Sequence, residues 1–94
     1  MFIKLYKVNT RQTPNGEQYY LTEVTINVNK ITFMSENFKM KSNLNEGKMN
    51  LDLNSDVDFT DLRLSGKEEI TVIGNPSLIE SKIQQSSNKT LLRG

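Results

Sequence analysis

Residues 19–35 read YYLTEVTINVNKITFMS, and this stretch decides the fold class. Val24, Ile26 and Val28 alternate with Thr25 and Asn27, the period-two spacing of a half-buried strand. Asn29-Lys30 interrupts the pattern, and Ile31 to Met34 resumes it. The spacing predicts two strands, or one strand bent at Asn29.

Working outward toward the N-terminus, Phe2 to Val8 (FIKLYKV) also reads as a strand. Phe2, Tyr6 and Val8 share one register, Ile3 and Leu5 the other, and periodicity leaves open which faces the core. Asn9 to Gln18 is polar and contains Pro14-Asn15-Gly16, a strong turn signal. Residues 1–24 therefore read as a hairpin with a long turn at 9–18.

Toward the C-terminus the composition shifts. Residues 36–55 hold five of the eleven Asn, with Phe38, Met40, Leu44 and Met49 scattered among polar residues. Met40 and Leu44 stand four apart, which allows one helical turn, but the expectation is an exposed loop inserted at 36–58. Phe59–Leu64 and Glu69–Ile73 read as a hairpin around Ser65-Gly66-Lys67. Asn75-Pro76 then supplies an N-cap and a first helical residue that needs no N–H donor. Leu78, Ile79 and Ile83 give the stripe of a helix over 76–85. The expected fold is mainly β (α+β): a small bent antiparallel sheet or barrel of about five strands with one C-terminal helix. Residues 1–85 form a single domain, and 86–94 a flexible polar tail.

Composition narrows function more than it names it. Ninety-four residues make one domain, and a hydrophobic content of 35% with mean hydropathy of -0.55 gives a small core. No apolar run is long enough to span a membrane, and the N-terminus turns polar too soon for a secretory signal. The localisation expected is cytoplasmic, in a bacterial or phage-infected host cell, or in a virion. The chain has no Cys and no His. Disulfides, thiol nucleophiles and imidazole acid–base catalysis are therefore excluded. The expectation is a non-enzyme without cofactor, metal or catalytic residues. Asp52, Asn54, Asp56 and Asp58 alternate like the start of a calcium loop. Val57 stands where that loop needs Gly, and Arg63 where it needs a bidentate Glu, so the segment reads as a solvated acidic loop. Net charge is only +1, but residues 1–50 carry seven Lys/Arg against four Asp/Glu, and 51–94 five against seven.

A series of stretches follows in a suggestive order: Met1-Phe2-Ile3-Lys4-Leu5, Ile26-Asn27-Val28-Asn29-Lys30-Ile31, Leu62-Arg63-Leu64-Ser65-Gly66-Lys67, Ile70-Thr71-Val72, and Ser77 to Ile83. This order resembles the FlbD-like family of small bacterial proteins found in flagellar operons. The chain departs from that pattern by its insertion at 36–58 and its long turn at 9–18. It also looks like phage-encoded relatives that elaborate such a domain, and its Asn and Lys richness agrees with an AT-rich genome. The resemblance implies a role in regulation or motility and carries over no catalytic residue.

The leading expectation is a small accessory or regulatory protein acting by protein contact, with a protein partner and self-association into a homo-oligomer. Its contact candidates are Phe38, Met40, Leu44 and Met49 in the insertion, and Leu91 and Leu92 in the tail. A second reading is a nucleic-acid-binding regulator whose basic, aromatic N-terminal face uses Lys4, Lys7, Arg11, Tyr19 and Tyr20. A third is a structural component of a virion or flagellar assembly.

Overall fold

The interruption at Asn29-Lys30 is where the sheet turns a corner. The computed structural model describes the backbone of residues 1–93 and the side chains of residues 1–86. Strands β1 (Phe2–Thr13) and β2 (Gly16–Asn27) are followed by a 3-10 turn at Val28–Lys30 and strand β3 (Ile31–Glu36). The Asn27 side chain accepts a hydrogen bond from the Asn29 N–H, which fixes the start of that turn. Helix α1 (Phe38–Asn45), strands β4 (Phe59–Leu64) and β5 (Glu69–Ile73), and helix α2 (Pro76–Arg93) complete the chain.

The five strands form one antiparallel sheet in the order β2-β1-β5-β4-β3. Strands adjacent in sequence also pair, except β2 and β3, which are the two edges. Only the short 3-10 turn joins those edges, so the sheet must bend strongly to bring them round. It stops short of closing into a barrel.

Each sheet face carries its own apolar cluster. Ile3, Leu5 and Ile26 pack with Leu62, Ile70 and Val72 under Ile79 of α2. Val8 and Phe59 lie on the opposite face and pack with Met49. The register question in β1 is thereby answered: Ile3 and Leu5 point to the α2 side, and Phe2, Lys4 and Tyr6 to the other, where they are exposed. Val8 shares the register of Phe2 and Tyr6 yet is buried, because the segment after α1 covers that face at one end. Thr60 is fully buried, and its hydroxyl donates to the Gly74 carbonyl at 2.6 Å. Gly74 holds a φ of 111°, which lets the chain leave β5 and enter α2.

Three expectations are corrected. The polar stretch 9–18 is strand, not loop: β1 and β2 pair from Phe2↔Asn27 to Thr13↔Gly16, and only Pro14-Asn15 remain as the turn. Thr, Arg and Gln lack apolar alternation, but each can extend a two-stranded ladder exposed on both faces. The insertion 36–58 is not an exposed loop, because it contains the end of β3, helix α1 and a segment packed on the second cluster. Helix α2 continues past residue 85 to Arg93, since no Gly or Pro lies between Pro76 and Gly94 to stop it.

Candidate functional site

The contact candidates in the insertion separate into core and surface. Asn37 caps α1 by accepting from the Met40 N–H at 2.9 Å, and its amide donates to Asp61 at 3.1 Å. Lys41 then ties the following segment down. Its ammonium donates to the carbonyls of Ser55 and Val57, both at 2.7 Å, and pairs with Asp58 at 3.2 Å. So held, Met49 is 7% exposed, and Met40 and Leu44 pack half-buried beside it. These three methionine and leucine side chains cover Val8 and Phe59. Phe38 remains 71% exposed at the start of α1. The side chains of Leu91 and Leu92 lie outside the described residues.

The nucleic-acid candidates fall on two faces. By strand parity, Lys7, Arg11 and Tyr20 lie on the α2 side of the hairpin, and Lys4 and Tyr19 on the other. Arg11 stacks its guanidinium over the Tyr20 ring, 4.7 Å from the centroid. Glu17 and Glu23 share the Tyr19 face, so the Arg11 face of the hairpin carries no carboxylate. Tyr19 packs beside the second cluster. Burial, then its hydrogen bond to Glu17, then the Glu17 charge push its hydroxyl above the usual pKa of 10.0.

Among the described residues, no group of three or more acidic side chains is placed to hold a metal ion. Asp58 is engaged by Lys41 and Asn75, which leaves the alternating acids of 52–58 without a common centre.

Sequence reasoning did not single out the outer edge of β2. The Val28 N–H donates to the Met1 carbonyl at 3.0 Å, extending the β1–β2 ladder by one pair. Even-numbered residues of β2 therefore bond to β1, and odd-numbered ones aim their N–H and C=O groups outward. Tyr19 shows this directly: its N–H donates to the Asn50 side chain at 2.7 Å. Asn50 thus closes the edge at Tyr19. From Leu21 to Asn27 no strand among the described residues lies alongside, and Thr22, Glu23 and Thr25 are exposed. An open groove of about 400 Å³, lined in part by Thr25, Asn27 and Lys30, lies at the far end. This edge has no Pro, no Lys and no bulge, the usual devices against strand addition. The signal in the sequence was the alternation of residues 21–27; what was missing was the strand order that leaves them at an edge. The chain matches no protein-family model, no curated protein and no solved structure.

Proposed function

We propose that this protein is a non-enzymatic binding module that works by protein contact, adding an extended segment of a partner along the outer edge of β2. The observation that carries the reading is the row of outward N–H and C=O groups at Leu21, Glu23 and Thr25, continued by the Asn27 N–H and bounded by the Asn50 cap. Strand addition draws affinity from such main-chain groups and specificity from alternate side chains. The lack of His and Cys also favours a binding role. An accessory or regulatory role, which the FlbD-like resemblance implies, needs nothing more than such contact.

The test uses peptides selected from a random library on the immobilised protein. We expect them to slow amide exchange at Leu21, Glu23 and Thr25, and to be released by Thr25→Pro. Proline there removes an outward N–H and leaves the β1 ladder intact. Peptides that bind Thr25→Pro as well as the parent, without protecting those amides, overturn the reading.

A second reading, nucleic-acid binding, is favoured by the Arg11–Tyr20 stack on a hairpin face without carboxylates. It requires oligothymidylate binding that weakens steeply with salt and is lost in Arg11→Ala. Binding indifferent to salt and to Arg11 removes it.

A further inference from the structure

The free part of the β2 edge reads Leu21-Thr22-Glu23-Val24-Thr25-Ile26-Asn27. It is close to self-complementary about Val24. We propose that two copies of this chain pair their β2 edges antiparallel, with a two-fold axis at Val24, an inference that rests on the strand-addition reading above.

The alternatives eliminate one another on physical grounds. Any two-fold pairing of outward groups must match odd-numbered residues with odd-numbered ones. Centring on Glu23 sets two carboxylates directly opposite each other, which is destabilising. It also needs the backbone of Tyr19, whose N–H is already held by Asn50. Centring on Leu21 or Thr22 needs Tyr19 as well. Centring on Thr25 runs Leu21 past the end of the strand and into the 3-10 turn. Centring on Val24 uses the whole free edge and leaves the Asn50 cap in place. The Leu21 carbonyl then accepts from the Asn27 N–H of the second copy, the Asn27 carbonyl staying within the 3-10 turn, and Glu23 exchanges hydrogen bonds with Thr25 of the second copy.

Side chains fit the same register. Val24 faces its own symmetry mate, and Thr22 faces Ile26 of the second copy. All three are β-branched, the residue type best suited to cross-strand pairing. Val24 is only half-buried against the main cluster in a single chain, so pairing would bury it further. The interface is isologous, with one surface serving both copies, and it closes after two.

The absence of cysteine makes a clean test available. Val24 and its mate form a non-hydrogen-bonded pair, with Cα atoms about 4.5 Å apart. That separation falls within the range of roughly 4.4–6.8 Å that a disulfide spans. Val24→Cys should therefore crosslink under mild oxidation of the native protein. Thr22→Cys should not, because its mate lies four residues along the strand, about 13 Å away. Sedimentation should give twice the 10.8 kDa chain mass for the parent. Thr25→Pro, which removes an outward donor from each copy, should weaken association about 30-fold or more. If Val24→Cys does not fold, the masses of the parent and Thr25→Pro decide. A parent that stays monomeric at high micromolar concentration overturns the proposal, as does a dimer in which Thr22→Cys crosslinks and Val24→Cys does not. A monomer whose library peptides are still lost in Thr25→Pro overturns self-pairing alone. One whose peptides ignore that substitution overturns the strand-addition reading too.

Discussion

Lys67 holds a φ of 72° in the turn between β4 and β5, next to Gly66 at 94°. A side chain in this left-handed region costs roughly 1 kcal/mol, which glycine avoids. Lys67→Gly should therefore stabilise the fold by about 0.5–1 kcal/mol in urea denaturation, net of the flexibility that glycine adds to the unfolded chain. A loss of stability would mean that the lysine makes an offsetting contact. Tyr19 supports a prediction in pH. Its folded pKa is raised above 10.0, first by burial and then by Glu17. Above pH 10 the unfolded chain loses this proton while the folded chain keeps it, so stability falls as pH rises from there toward the folded pKa. Tyr19→Phe should flatten that part of the profile, and Glu17→Gln should flatten it in part. At this scale the sequence spoke clearly where one residue type has one use. Asn75-Pro76 starts α2 as its spacing predicts, and the Asn75 side chain accepts from the Leu78 N–H at 2.8 Å. Lys41 was silent, because its three oxygen partners come from a segment that only the fold brings near.

At the scale of elements, the sequence was legible wherever apolar alternation is strong. Strands Phe59–Leu64 and Glu69–Ile73 have the limits their alternation predicts. Residues 10–18 have no such alternation because almost all of them are exposed, so these polar residues resembled a loop. Helix α1 was hidden for a related reason. Its apolar side chains Met40 and Leu44 cover a second cluster on the sheet face away from α2, and periodicity within one strand does not announce that both faces are used. The same fact gives a contrast within the insertion. Met49→Ala empties space beside Val8 and Phe59 and should cost about 2–4 kcal/mol. Phe38→Ser changes an exposed side chain and should stay within about 0.5 kcal/mol. Equal costs for the two, measured by chemical denaturation, would contradict the packing of this segment.

For the whole molecule, the apolar material is divided between two small clusters on opposite faces of one bent sheet. Neither is large, and a domain of this size has a thin margin of stability. The sheet also ends in an edge whose outward groups can be satisfied either by water or by another strand. The edge could not be read from residues 19–35 alone, since the same alternation serves a central strand equally well. Strand order decides the matter, and that order is set by the long-range pairing of β1 with β5. If the edge is completed by a second copy, folding and association are linked. Unfolding of such a dimer becomes about 1.4 kcal/mol harder for each tenfold rise in concentration. For a pair of chains this size, that should raise the thermal midpoint by about 3–5 °C per tenfold. Thr25→Pro, held as a monomer, should show a midpoint independent of concentration. Because it keeps every β1–β2 hydrogen bond, its midpoint should approach that of the parent at high dilution. A parent midpoint that does not move with concentration would place the edge in water, leaving the two clusters to hold the sheet unaided.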